Sequence, residues 1–147
     1  RNRLDGYRDA LKHYGVPVRE EWILHTQITQ EGGTNCTYQL MALKNRPDAI
    51  FAASDRITTG VHLALRQLVY RMPDEVAVIG FCDLGLASLL EPPISAVIQP
   101  SFSMGQQSVL LLLDLIESKN TPAEFETRVL TSNIVIQKSS IKKSTGE

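Results

Sequence analysis

The amino-acid sequence predicts an α/β fold, a parallel sheet flanked by helices, and three stretches carry that expectation. Ala49-Ile50-Phe51-Ala52-Ala53 is an apolar run of strand length. Ile57, Val61, Ala64, Leu65, Leu68 and Val69 then recur at helical spacing, a stripe that Pro73 is expected to end. Val76-Ala77-Val78-Ile79-Gly80-Phe81 is a second apolar run, finishing at Cys82-Asp83. Two buried strands joined by a helix must run parallel, as a right-handed crossover unit. Ligands of such sheets sit beyond the carboxyl ends of the strands, which places Ser54, Asp55, Cys82 and Asp83 at the expected functional edge.

The 147 residues, 43% hydrophobic and 21% charged, suffice for one core of ordinary soluble composition. The formal charge is −1 and Lys and Arg are scattered, which argues against this segment gripping nucleic acid through phosphates. Only Lys138, Lys142 and Lys143 are bunched, at an end expected to be solvated. Cys36 and Cys82 are far apart, fitting a reducing cytosol better than a disulfide scaffold, although pairing between them stays open. The longest apolar stretch, residues 109–113, is too short to span a membrane. The chain opens at Arg1-Asn2-Arg3 without a signal peptide pattern or an initiator Met, leaving room for a start further upstream.

Taken in order, Leu4, Tyr7, Ala10, Leu11 and Tyr14 form a helical stripe that ends at Gly15. Residues 22–28 alternate around Ile23, Leu24, Thr26 and Ile28 and read as a strand. Residues 30–45 read as a helix whose first turn Gly32 and Gly33 weaken. Beyond Asp83, residues 84–90 allow two helical turns before Glu91-Pro92-Pro93, and residues 95–98 form a further strand. Residues 101–118 make a helix that Ser101 can cap and Thr121-Pro122 breaks. Phe102, Gly105, Val109, Leu112, Leu113 and Ile116 give it one stripe, and Leu110, Leu111 and Leu115 widen this to most of the circumference. So apolar a helix needs cover on more than one side, pointing to a further subdomain or a partner chain. Residues 127–130 and 133–137 read as edge strands.

Several stretches together resemble the effector-binding half of the LacI/GalR family of bacterial transcription regulators. They are Arg3-Leu4-Asp5-Gly6-Tyr7-Arg8-Asp9-Ala10-Leu11, Arg46-Pro47-Asp48-Ala49-Ile50-Phe51-Ala52-Ala53-Ser54-Asp55, Met72-Pro73-Asp74-Glu75-Val76-Ala77-Val78-Ile79-Gly80-Phe81, and Glu91-Pro92-Pro93 with Gln99-Pro100. The resemblance implies a type I periplasmic-binding-protein-like fold of two α/β subdomains around a ligand cleft, preceded by a helix-turn-helix headpiece. This chain resembles only the later portion, mostly the C-terminal subdomain. By analogy residues 1–98 and 127–139 build that subdomain, residues 99–126 cross over to complete the N-terminal one, and residues 140–147 are a tail.

The resemblance also nominates ligand-facing residues. Arg3 matches a family position whose guanidinium reaches into the cleft, where a fork of donors suits vicinal hydroxyls, a carboxylate or a phosphate. Ser54 stands where the family often has Asn, and can bond a ligand hydroxyl, cap the following helix, or do both; Asp55 is first a cap. Cys82 replaces the Asp that sugar-binding relatives typically carry, leaving the carboxylate to Asp83; a buried, inert thiol is the expected reading. Ile28 stands where relatives place a stacking aromatic, and is either a ligand contact or a core strand residue. Gln99, at the inferred crossover, contacts ligand or bridges the hinge.

His13, His25, His62 and Cys36 show no metal-ligand spacing, and neither a nucleophile–base pair nor a phosphate-cradling loop is present. No metal, cofactor or enzymatic activity is expected. The resemblance implies a cytoplasmic, homodimeric regulator sensing a sugar or other small polar metabolite, and meeting operator DNA only through a headpiece not in this chain. The competing expectation is a periplasmic sugar-binding receptor of an ABC transporter with the same fold.

Overall fold

A computed structural model describes residues 2–118 and 126–142. Arg1, the Thr121-Pro122 helix stop and Lys143 of the basic run lie outside the described residues. Helix α1 (Asn2–His13) ends as its sequence requires: Gly15 takes φ 66°, Val16 N–H reaches Leu11 O at 2.9 Å and Gly15 N–H reaches Lys12 O at 3.2 Å. These paired bonds satisfy carbonyls that a helix terminus otherwise leaves open. Helix α2 (Gln30–Ala42) starts at Thr29, whose hydroxyl accepts Gly32 N–H at 3.0 Å. It stops three residues before the predicted end. The pair β1 (Ala49–Ala52) and β2 (Ala77–Phe81) is parallel, with helix α3 (Asp55–Gln67) between them in sequence. Helix α4 (Leu84–Leu89), strand β3 (Ser95–Ile98), helix α5 (Ser101–Glu117) and strand β4 (Asn133–Val135) complete the described elements.

The sheet order is β1-β2-β3-β4, parallel across the first three strands and antiparallel at β4. Ile50, Ala52 and Val78 point into a core shared with Leu40 and Met41 of α2 and Val61 and Leu65 of α3. Apolar burial on the order of 2 kcal/mol per large side chain makes this cluster the main stabilising unit. Alternation along β1 turns Ala49 and Phe51 to the opposite face, where both are exposed.

Helices α2 and α3 cross with almost no side chain between them. A Cβ at Gly60 would overlap the Gln30 carbonyl oxygen and stand 2.7 Å from Thr34 N, and one at Gly33 would stand 2.5 Å from Ile57 O. Thr34 Oγ1 donates to Gly60 O at 3.2 Å across the contact. Gly33, expected to weaken a helix turn, is instead the residue that lets the two backbones meet.

A single serine closes the amino end of the sheet. Ser139 is fully buried; its N–H donates to Pro93 O at 3.0 Å and its carbonyl accepts Val78 N–H at 2.9 Å. Its hydroxyl donates to Val78 O at 2.6 Å and accepts Ser95 N–H at 2.8 Å. Ser140 Oγ meets Ser95 Oγ at 2.6 Å, so the chain is still anchored where a tail was expected to begin.

Four local expectations are corrected. Trp22 ends a 3-10 turn (Glu20–Trp22), and residues 23–28 join no sheet, because a cavity of about 470 Å³ separates them from β1. Helix α3 ends well before Pro73: Val69, 82% exposed, sits at φ 60° in a closing turn, with Val69 N–H on Arg66 O and Tyr70 N–H on Leu65 O. Leu68 and Val69 therefore leave the predicted stripe. Ser101 is the first residue of α5 rather than its cap; Pro100 holds the cap position without a side-chain bond. Residues 127–130 form no strand, because Arg128 is drawn to α5 by Gln107 Oε1 at 2.8 Å and Asp114 Oδ2 at 3.6 Å.

Urea unfolding tests two of these features. Gly60→Ala should cost about 3 kcal/mol, since a methyl there must push two backbones apart. Val69→Gly should stabilise by roughly 0.5–1 kcal/mol, because a left-handed non-glycine residue costs about 1–2 kcal/mol, offset in part by the extra chain entropy glycine loses on folding.

Candidate ligand-binding edge

The carboxyl ends of β1 and β2 collect the polar residues that the sequence nominated. Ser54 caps α3, its hydroxyl accepting Ile57 N–H at 3.4 Å. Asp55 does not cap its own helix: its Oδ1 accepts Asp83 N–H at 2.7 Å and so bonds the tip of β1 to the tip of β2. Asp83 Oδ1 in turn accepts Gly85 N–H at 2.8 Å and Leu86 N–H at 3.4 Å, capping α4. The two carboxylates thus hold the loops that form the edge.

Arg3 enters from the first turn of α1. Its guanidinium lies 3.7 Å above the Phe81 ring and donates to Ala53 O. The ring face and the carbonyl pin a cation against the ends of both strands, and the remaining donors of its fork stay available. Among the described residues, Arg3 forms no ion pair with a carboxylate. In sequence Phe81 reads only as part of an apolar run; its pairing with Arg3 is a contact between residues 78 positions apart, which no local pattern encodes.

Cys82 faces away from this edge. It is 5% exposed, in the core cluster, and its Sγ would stand 3.0 Å from a Cβ at Gly80. Burial raises its pKa, the charges of Asp55 and Asp83 add to the rise, and a hydrogen bond with Thr58 opposes it. A protonated, enclosed thiol offers no strong ligand contact and no nucleophile. Cys36 is also a free thiol, so the two cysteines are not paired.

Ile28 is 66% exposed, not a core strand residue, and lies on the rim of the 470 Å³ cavity with Arg3 and Ala53. Gln99 is exposed at the start of the crossover and lines a separate cavity of about 270 Å³ with Arg128, Gln107 and Ser132. The edge therefore brings Arg3, Ser54, Asp55 and Asp83 together with Ile28 at its rim, while Cys82 is turned inward and Gln99 stands apart. Among the described residues, no group of three or more His, Cys, Asp or Glu could hold a metal ion, and no helix is long and apolar enough to cross a membrane.

A mostly parallel sheet with a cation and two backbone-bonded carboxylates at its carboxyl ends has the layout of a periplasmic-binding-protein-like fold. Residues 1–140 match the family model of the periplasmic binding protein-like domain, and the chain belongs to that family. It is 34% identical to the ribose operon repressor of Haemophilus influenzae over 138 residues, 94% of this chain and 41% of the relative. It is 31% identical to the HTH-type transcriptional repressor PurR of Photobacterium profundum, over 95% of this chain and 41% of the relative. Among solved structures, the transcriptional regulator CelR in complex with cellobiose superposes with a TM-score of 0.87 at 33% identity, over 94% of this chain and 42% of that one. A LacI family regulator from Enterococcus faecium with bound ribose gives 0.82 at 27% identity, over 94% and 50%. The LacI-type resemblance of the sequence is met in these relatives, and the chain spans about two fifths of the length of the curated ones.

The buried thiol has a pH consequence. Its folded pKa lies above the unfolded value, so it contributes stability that is fully present below the unfolded thiol pKa of about 8.5 and is lost as pH rises towards the folded value. Unfolding free energy measured from pH 7 to 10 should fall less steeply in Cys82→Ala than in the parent protein.

Proposed function

We propose that this chain is the effector-sensing part of a LacI-type DNA-binding transcription regulator, and that Arg3 is its principal ligand contact on this wall. The observation that carries the reading is the Arg3 guanidinium, pinned over Phe81 at the carboxyl ends of β1 and β2 with donors to spare. A sugar or similar polar metabolite would lie against that fork, with Ser54, Asp55 and Asp83 within the same edge and Ile28 at its rim. Relatives bearing cellobiose and ribose support a sugar-like ligand class.

Residues 1–98 and 127–139 would form one lobe, and residues 99–126 would cross to the other. Helix α5 supports this division, because none of its side chains is buried although Phe102, Val109, Leu112, Leu113 and Ile116 are all apolar. Ligand binding between lobes would favour a closed arrangement, and that difference in affinity would bias operator binding by a homodimer in the cytoplasm without chemical turnover. Gln99, at the crossover, would act on the hinge rather than on ligand.

Calorimetry of the full-length protein with ribose, cellobiose and purine bases tests the assignment. Arg3→Ala should weaken binding roughly thirtyfold, about 2 kcal/mol, and Arg3→Lys should not restore it, since an ammonium lacks the planar fork. Undiminished affinity in Arg3→Ala would remove Arg3 from the site.

A further inference from the structure

We infer that Phe81 is the positioning residue of the candidate site: its ring face holds the Arg3 guanidinium in place before a ligand arrives, a role that rests on Arg3 being a ligand contact. Phe81 then acts on the ligand only through Arg3, and the affinity assigned to Arg3 depends on an aromatic ring at position 81.

Arg3 needs such a support. It is exposed, in the first turn of α1. A long side chain in that place gives up rotamer freedom when it binds, and the contact is weaker by that loss unless the side chain is already ordered. Arg3 donates to the Ala53 carbonyl, and its guanidinium carbon lies 3.7 Å from the centre of the Phe81 ring. One hydrogen bond lets a guanidinium swing about the accepting oxygen. A ring face in van der Waals contact removes that motion. Two other arginines lie over rings, Arg19 over Trp22 at 4.9 Å and Arg46 over Tyr70 at 4.6 Å, so the Arg3 contact is the closest of its kind among the described residues.

Phe81 is itself fixed. It ends β2, in register with Val97 of β3, and it is half-buried. Strand alternation puts its side chain on the face of Ala77 and Ile79, opposite the buried Val78 and so away from α2 and α3. Two residues on, Asp83 N–H is bonded to Asp55 Oδ1 at 2.7 Å, which ties the chain leaving the ring to the start of α3. The chemistry of the ring matters as much as its place. A carboxylate there would order Arg3 equally well, but would neutralise its charge and occupy two donors of the fork. A leucine would fill the space without attracting a cation. The ring attracts the cation through its quadrupole and takes no N–H in return, so Arg3 stands at the edge ordered, charged and with donors open.

Nitrogen-15 relaxation of the Arg3 Nε–H in the full-length protein, without ligand, tests the ordering. Its order parameter should exceed about 0.6 in the parent and in Phe81→Tyr, and fall below that in Phe81→Leu. An Arg3 equally ordered in Phe81→Leu and the parent would overturn the inference, whichever effector the protein takes. Calorimetry with ribose and cellobiose reads the consequence. Phe81→Leu should weaken binding about fivefold, Phe81→Tyr should stay within about twofold of the parent, and Phe81→Leu should add no loss in an Arg3→Ala background. Parent-like affinity in Phe81→Leu, or an equal loss in both backgrounds, would overturn this inference alone, the second by showing that the ring acts on ligand or fold without Arg3. Full affinity in Arg3→Ala would instead overturn the effector reading, and this one with it.

Discussion

The close crossing of α2 and α3 is the constraint on which the rest of the lobe depends. With glycine at positions 33 and 60 the two helix backbones touch, and Thr34 bonds across the contact. That proximity fixes α2 against the core face of β1 and β2, and brings Thr29 and the segment before it to the same end of the sheet as Ser54. Small residues here do not merely permit close packing. They determine where residues 23–28 run, and hence the shape of the cavity beside β1.

From that frame the candidate ligand-binding edge follows by hydrogen bonding. Asp55 and Asp83 use carboxylate oxygens on backbone amides, one joining two strand tips and the other starting α4. Fixed charges held this way cost little to keep in place when a ligand arrives, because their orientation is already set. Arg3 is held differently, by a ring face and a carbonyl, which leaves its charge without a carboxylate partner among the described residues. The edge thus combines rigid acceptors with one cation, an arrangement suited to polar ligands with several hydroxyls.

The fold is closed in some places and open in others. Its amino end is sealed by Ser139, which bonds β2, β3 and the turn before β3 at once. β1 stands at the end of the strand order, and no side chain of α5 is buried.

Local chemistry was enough to read the β1-α3-β2 unit, the Gly15 and Ser54 termini and α5. Each rests on neighbours within about one helical turn or on alternation along a strand. Even the excess of apolar residues on α5 was visible, because circumference can be counted without knowing the partner. Tertiary structure alone decided the rest. Residues 22–28 have a strand pattern but no adjacent strand, and a ladder exists only between two chains of backbone. Val69 fits the helical stripe, yet the helix turns before it. Cys82 and Asp83 are neighbours in sequence on opposite sides of the edge, and Asp55 serves Asp83 rather than its own helix. Arg3 finds Phe81 across most of the lobe. Contacts made at long sequence separation depend on how whole elements pack, and no residue pattern carries that information by itself.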